Sequence, residues 1–384
     1  MQKNGRAQID MKQQQDAIRA IERIAIVGGG AWGTALAVTA VRAGRGVALW
    51  AREPDVIDAI RATRTNPTFL PGIRLPESIS ATNDLAIAVR DADAVLLVVP
   101  SQYIRQTCRN LQTKLQPHVP VVICSKGIER ETGYLLRAVV AEELPQTRVA
   151  VLSGPTFAHE VAAGEPTAVT IASDDVAIAG EQSLAARIAV ALGTHTFRPY
   201  VADDVTGVEV GGAVKNVLAL ASGMASGLSF GSNTRAAIIT RGLDEIKRLS
   251  EALGGRRDTV TGLSGIGDLT LTCSSEQSRN MRYGIGLATG RTAADIFDGR
   301  PVVVEGVENA VSVTNLARRL GVDMPICEAV RAVVADRKPI REALMDLLDR
   351  PFKGEPRSVE LVLPGPSGST LPDAILSGAE NRTR

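Results

Sequence analysis

The sequence predicts a doubly wound parallel α/β sheet followed by an all-α domain, and three observations carry that prediction. An apolar, β-branched run, Ile24–Val27, leads straight into Gly28-x-Gly30-x-x-Gly33 and then into a small-residue helix. Strand-like and helix-like segments alternate regularly up to about residue 200, as βαβ units do. Beyond Tyr200 the strand patterns stop and long helical ones take over. The expected organisation is a polar extension over 1–22, a nucleotide-binding domain of Rossmann type over 23–200, a helical domain over 201–350 and a disordered tail over 351–384.

In chain order, Asp10–Ile21 is a candidate extra helix with no assigned role. After the first strand, Gly28 permits the tight turn, Gly30 lets the backbone approach a pyrophosphate, and Gly33 lets the helix pack on the strand. That helix starts near Ala31 and ends at Gly44, a residue type suited to the position past a helix end. The second strand, Gly46–Trp50, is followed by Arg52 and Glu53. An acid at this strand end selects NAD through the ribose 2′-OH, whereas Arg52 suits a 2′-phosphate. NADP(H) is therefore favoured, with NAD(H) left open by Glu53 and a merely solvated Arg52 as the competing reading.

Ala94–Val99 is the clearest buried strand, stopped by Pro100, with a helix from Ser101. Val119–Cys124 ends at Ser125-Lys126-Gly127, and Val149–Leu152 ends at Ser153-Gly154-Pro155-Thr156. Thr167–Ala172 and Thr194–Phe197 are expected strands around a helix near Val176–Leu192. Ligands of such sheets gather at the carboxyl ends of the strands, which groups Gly28–Gly33, Arg52, Lys126 and Gly154–Thr156 at one edge. The helical half is expected at 204–228, 234–253, 258–272, 278–289, 292–298, 307–320, 325–335 and 339–348, punctuated by glycine and proline.

Composition narrows the function classes. Of 384 residues, 45% are hydrophobic and 22% charged, which is ordinary for a globular protein with room for two cores. A formal net charge of +1 gives no global field toward nucleic acid or an anionic membrane, so neither is an expected partner. Ile24–Val41 and Asn216–Thr234 are uncharged, but the first holds the glycine turn and the second is mostly Ala, Gly and Ser. Neither is an expected membrane span. Cys108, Cys124, Cys273 and Cys327 are too scattered for a zinc or disulfide framework, which fits a reduced cytoplasm and no metal.

The chemistry-bearing residues cluster in the helical half. Within Gly211-Gly212-Ala213-Val214-Lys215-Asn216 a lysine stands among small and apolar residues. Desolvation lowers a lysine pKa and makes it a usable acid or base near neutrality. A hydride arriving at a ketone carbon leaves charge growing on oxygen, which a nearby ammonium stabilises and protonates. Asn216 is placed to hydrogen-bond the same substrate. A lysine snorkelling from a helix flank is the competing reading. Asp268 and Thr272, four apart, share a helix face, and Asp268 suits orienting Lys215 or accepting from a substrate hydroxyl. Ser278-Arg279-Asn280 is a compact donor set suited to a phosphate, or else a helix cap with a solvated arginine. Glu305, in Val303-Val304-Glu305-Gly306, either reaches the cofactor or is a surface acid.

These blocks together resemble the bacterial NAD(P)-dependent glycerol-3-phosphate dehydrogenase family. The resemblance covers about Ile24 to Leu348 and rests on Gly28–Leu36, Asn66–Gly72, Ser125–Gly127, Ser153–Phe157, Gly211–Asn216, Gly265–Cys273, Ser278–Asn280 and Val303–Gly306. It implies reversible reduction of dihydroxyacetone phosphate to sn-glycerol 3-phosphate for glycerophospholipid synthesis, and a helical domain like that of 6-phosphogluconate dehydrogenase. It further implies Lys215 as the acid/base and Lys126 touching both substrate and cofactor. Gly154, Thr156, Asp268, Ser278, Arg279 and Asn280 would line the substrate. Ala31, Trp32, Arg52, Lys126, Ala158, Arg279, Val303 and Glu305 would line the nucleotide. Ala31 departs from the serine that many members carry, so only a backbone N–H is offered there. A homodimer through the helical domain is a further expectation. A β-hydroxyacid dehydrogenase of the same architecture and a non-catalytic dinucleotide sensor are the alternatives.

Overall fold

The computed structural model describes residues 20–300, 302–353 and 362–363. Its first half contains strands Arg23–Val27 (β1), Gly46–Trp50 (β2), Thr65–Asn66 (β3), Leu70–Arg74 (β4), Ile79–Thr82 (β5), Ala94–Leu97 (β6), Val121–Ile123 (β7), Val149–Ser153 (β8), Thr167–Ala172 (β9) and Phe197–Ala202 (β10). Between them lie helices Ala31–Arg42 (α1), Pro54–Thr63 (α2), Leu85–Val89 (α3), Ile104–Leu111 (α4), Leu136–Glu143 (α5), Ala158–Ala163 (α6), Val176–Ala179 (α7) and Leu184–Leu192 (α8).

Eight strands form one sheet in the order β10-β9-β8-β7-β6-β1-β2-β5. Alternate residues of the central strands feed separate cores. Ile24, Ile26, Leu96 and Val122 pack on one face, while Ala25, Val27, Val95, Leu97, Val121 and Ile123 pack on the other. Burial on both faces is why these segments read as unbroken apolar runs. Chain order runs outward from β1 to β2 on one side and from β6 to β8 on the other. The crevice between the ends of β1 and β6 is therefore the topological switch point, where open α/β sheets bind ligands.

The sheet is not wholly parallel, contrary to the sequence expectation. β9 runs antiparallel to β8, and β10 follows β9 in parallel. The chain between β8 and β9 contains only the six-residue α6, too short to traverse the strands as a parallel crossover requires. Other boundaries moved as well. The strand expected at Thr194–Phe197 begins at Phe197 and runs to Ala202, and the helix expected over Val176–Leu192 breaks around Gly180–Ser183. β3, β4 and β5 were not foreseen.

The second half is helical: Val205–Gly227 (α9), Ser232–Ala252 (α10), Arg257–Val260 (α11), Asp268–Ser274 (α12), Arg279–Ala288 (α13), Ala293–Ile296 (α14), Glu305–Arg319 (α15), Pro325–Val334 (α16) and Ile340–Leu348 (α17). Every residue of α9 from Val205 to Leu220 is buried, because α10, α12, α13 and α15 pack around it. The uncharged stretch after Asn216 is thus a close-packing surface, and no described helix is long and apolar enough to cross a membrane. The single helix expected over 258–272 is instead α11, a π-turn at Leu263–Gly267 and then α12. Three glycines in this stretch weaken a continuous helix, and a Cβ at Gly265 would run into the Val260 carbonyl.

Within the tail expected to be disordered, Phe352–Lys353 (β11) pairs antiparallel with Val362–Leu363 (β12), so that part forms a strand pair. The rest of that tail, and most of the candidate helix Asp10–Ile21, lie outside the described residues.

Candidate active site

The glycine turn is built as its spacing implies. Gly28 has φ +131°, and a Cβ there would lie 2.7 Å from the carbonyl carbon of Val98, just past β6. A Cβ on Gly33 would collide with the Gly28 carbonyl oxygen, so the start of α1 sits directly on the turn. Beside Gly30, by contrast, nothing lies within 4 Å of an added Cβ. α1 begins at Ala31 with no side-chain cap and no acid in its first turn, and Trp32 packs against the core beside it. Free N–H groups, a positive dipole end and open space fit a dinucleotide pyrophosphate. Asn66 pins the turn from outside: its Nδ2 donates to the Gly29 carbonyl and to Thr34 Oγ1, both at 2.9 Å.

At the end of β2, Arg52 is exposed and its guanidinium rests on Glu53 Oε1 at 2.9 Å. Arg52 and Glu53, the two residues expected to bear on cofactor choice, thus sit together just past the end of β2.

The catalytic candidates meet where α9 crosses the ends of β7 and β8. Two glycines of the Gly211–Asn216 block make room. A Cβ on Gly211 would lie 2.6 Å from the Ser264 carbonyl oxygen, and one on Gly212 would lie 3.2 Å from Lys126 Cγ. The Lys126 stem thus passes over α9, and its ammonium donates to Asp268 Oδ2 at 2.6 Å and to the Gly154 carbonyl at 3.2 Å. One turn further along α9, Lys215 donates to Asp268 Oδ1 at 2.9 Å and to Thr272 Oγ1 at 2.8 Å. The snorkelling alternative for Lys215 fails, because its side chain is only 9% exposed and its ammonium points inward.

Electrostatics follow from burial and pairing. Burial pushes the Lys215 pKa below its ordinary value, against the pull of Asp268 toward the charged form. Burial alone would raise Asp268, but the Lys126 and Lys215 ammoniums reverse that and hold it below the usual carboxylate range. The site therefore holds an ionised carboxylate between two ammoniums, one of which releases its proton more readily than a free lysine.

A second chain of contacts borders the first. Asn216 Nδ2 donates to Glu305 Oε2 at 3.4 Å, Asn280 Nδ2 donates to Asn216 Oδ1 at 3.0 Å, and Asn280 Oδ1 accepts the Gly306 N–H at 2.9 Å. Burial raises Glu305, opposed first by the Arg279 guanidinium and then by Lys215 and Lys126. Glu305 is thus turned into the site and is not a surface acid. Ser278 is the N-cap of α13, its Oγ accepting the Met281 N–H at 3.2 Å, and Arg279 is exposed beside it. The cap reading of Ser278 is thus seen directly, and Arg279 lies exposed beside it with its guanidinium toward Glu305.

Contacts bring together Lys126, Gly154, Lys215, Asp268 and Thr272, then Asn216, Asn280, Arg279 and Glu305. Thr156 follows, its Oγ1 donating to the Gly154 carbonyl at 3.4 Å. Ala158 opens α6, and Val303 is exposed before α15; neither contributes a polar side chain. Among the described residues no cluster of His, Cys, Asp and Glu would hold a metal. Sequence reasoning missed Asn309, buried on α15, and Glu209, whose Oε1 accepts the Arg137 N–H of α5 at 3.0 Å where Leu135 offers no cap. Their partners are backbone groups distant in sequence; the only signal was a polar side chain inside an apolar stretch.

Comparison with known proteins finds a family over most of the chain. The family model described as NAD-dependent glycerol-3-phosphate dehydrogenase N-terminus matches residues 23–179, and its C-terminus counterpart matches 204–345. A protein of Rhodospirillum rubrum named glycerol-3-phosphate dehydrogenase [NAD(P)+] is 50% identical over 344 residues, covering 90% of this chain and 97% of its own. One of the same name from Caulobacter vibrioides is 48% identical over 334 residues, covering 87% and 99%. The solved glycerol-3-phosphate dehydrogenase of Coxiella burnetii is 38% identical, covers 86% of this chain and 99% of its own, and superposes with a TM-score of 0.80.

Proposed function

Since the chain belongs to the NAD-dependent glycerol-3-phosphate dehydrogenase family, we propose that it interconverts dihydroxyacetone phosphate and sn-glycerol 3-phosphate with NADP(H) or NAD(H). The observation that carries the mechanism is the pair of lysines on one buried carboxylate, beside the strand ends that hold the glycine turn.

Gly28 to Trp32, Arg52 and Glu305 would hold the dinucleotide, which when bound supplies the hydride. Everything else is done by this chain. Lys215 donates its proton to the ketone oxygen as charge grows there, and takes it back in the reverse direction. Asp268 stays ionised and fixes the direction of the Lys215 ammonium, with Thr272 accepting from it on the other side. Lys126 adds a second positive charge to the field around the oxygen. Arg279, free beside the cap of α13, takes the substrate phosphate, so binding energy remote from the reacting carbon orients the carbonyl. Asn216 and Asn280 present their amides along the same wall.

Arg52 favours the 2′-phosphate of NADP(H), once its guanidinium leaves Glu53. A cytoplasmic enzyme supplying glycerophospholipid synthesis, active as a homodimer through the helical domain, is the setting this reading implies. Following NADPH absorbance on addition of dihydroxyacetone phosphate tests the activity. Oxidation of NADPH is expected with this ketone and not with 2- or 3-keto acids; the opposite preference would return the assignment to a hydroxyacid dehydrogenase.

A further inference from the structure

Asn309 is completely buried on α15. Its Nδ2 donates to the Ala213 carbonyl at 3.2 Å and reaches the Lys126 carbonyl at 3.5 Å. Ala213 lies two positions before Lys215 on α9, and Lys126 is the other ammonium on Asp268. One amide thus touches the backbone of both lysine-bearing segments. The fit on the loop side is tight: a Cβ on Gly127 would lie 2.9 Å from Asn309 Oδ1 and would collide with Ser101 Oγ. Glu305, four residues earlier on the same face of α15, reaches Asn216. α15 therefore addresses α9 at two points, one on either side of Lys215.

We propose that Asn309 is a positioning residue for the reaction, its amide fastening the Lys126 loop to the Lys215 helix so that both ammoniums meet on Asp268. The inference rests on the proposed roles of Lys126 and Lys215. The two carbonyls account for the donor side of a fully buried amide between a loop and a helix, while its Oδ1 has no hydrogen-bond partner. A leucine of similar volume would fill the space but leave the two segments free to shift apart. A displacement of about 1 Å at a reacting group is enough to slow a reaction by about a hundredfold.

The test compares Asn309→Leu, Asn309→Asp and Val313→Ala, the last trimming a buried side chain of the same helix that makes no hydrogen bond to either lysine segment. Melting temperature, the Kd for NADPH by fluorescence and kcat against pH are measured for each. Asn309→Leu is expected to lower kcat about tenfold or more while the Kd for NADPH moves by less than about threefold. Val313→Ala is expected to lower the melting temperature by a similar amount without that loss of kcat.

Asn309→Asp faces two carbonyls, with Glu305 on its own helix and Lys126, Lys215 and Asp268 across from it. Its carboxyl donates when protonated and repels when ionised. Its kcat relative to the parent is therefore expected to be highest at the acid end of the profile and to fall as pH rises. Parent-like kcat in Asn309→Leu, an equal loss in Val313→Ala, or a relative profile for Asn309→Asp that does not fall with pH would overturn the proposal. If Asn309→Leu does not fold, the Asn309→Asp profile decides alone. Lys215→Ala is run beside them. Turnover retained there sinks the acid/base reading itself, whereas a dead Lys215→Ala with an unaffected Asn309→Leu sinks only the clamp.

Discussion

The Lys215 ammonium lies 2.9 Å from Asp268 Oδ1 although 53 positions separate the two residues, and neither side chain is more than a tenth exposed. A buried ion pair of this kind is weak ground for stability, since desolvating both charges offsets much of their attraction. Its bearing on the proposed chemistry is that Asp268 favours the charged form of Lys215 while burial makes the same lysine easier to deprotonate. Lys215→Ala is expected to reduce kcat by about two to four orders of magnitude, the range for loss of a general acid. NADPH affinity should be nearly unchanged, as Lys126 still neutralises Asp268. Single-turnover rates and fluorescence titration measure the two quantities separately.

The pH dependence follows from the sign of the Lys215 shift. Ketone reduction needs the ammonium, so its rate should decline as pH rises through a pKa lying below the ordinary lysine range. Alcohol oxidation needs the free amine and should rise through the same interval. Profiles of kcat in the two directions check this, and parallel rather than opposed limbs would exclude Lys215 as the shared group.

Much of this site is readable from local sequence, and the unreadable part has a common cause. The glycine turn is legible because strand, turn and helix follow one another within a dozen residues. Asp268 and Thr272 are legible as a pair because four residues make one helical turn. Lys215 announces itself by being charged in an apolar helix. That it meets Asp268 is decided by packing of α9 on α12 and by the clearance at Gly211 and Gly212, which no local pattern encodes. Asn66, Glu209 and Asn309 bind backbone groups far along the chain, so only the fold reveals their partners. The antiparallel β9 escaped for a similar reason: strand direction was set by how short α6 is.

Arg52 tests cofactor choice. Its guanidinium is exposed and, among the described residues, pairs with the neighbouring Glu53, so exchanging that contact for a 2′-phosphate requires a side-chain rotation and no rearrangement of the sheet. Arg52→Ala should weaken NADPH by about tenfold and leave NADH within about twofold, the expected size of one charge-assisted hydrogen-bond pair. Equal losses for both nucleotides, measured by Kd, would show that the 2′-phosphate is held elsewhere.

Arg279 tests the phosphate grip. It is exposed at the start of α13, and its guanidinium is the charge that most favours ionisation of Glu305. Arg279→Ala should raise the KM for dihydroxyacetone phosphate by about 10- to 100-fold, as expected for one charged contact, with a smaller effect on kcat. Dihydroxyacetone without the phosphate, turned over poorly by the parent, should lose nothing further in the variant.

Glu245 tests how the helical domain is held together. It is buried on α10, and its two oxygens accept the Ile326 and Cys327 N–H groups at 2.7 and 3.1 Å, at the start of α16 where Met324 provides no cap. Burial raises its pKa from 4.5 to about 7 in spite of those donors. A folded-state pKa above the unfolded one means the native protein holds a proton that the unfolded chain has released. Stability from this group is complete below pH 4.5 and is lost as pH rises to about 7, on the order of 3 kcal/mol at 1.36 kcal/mol per unit. Glu245→Gln keeps an acceptor for α16 but removes the titration, so its melting temperature should fall less between pH 5 and pH 8 than that of the parent. Glu245→Ala removes the acceptor and should destabilise at every pH, by about 1–3 kcal/mol for the stranded N–H groups. Thermal melts across that range distinguish the two variants, and parallel curves for parent and Glu245→Gln would show that this carboxyl does not titrate on unfolding.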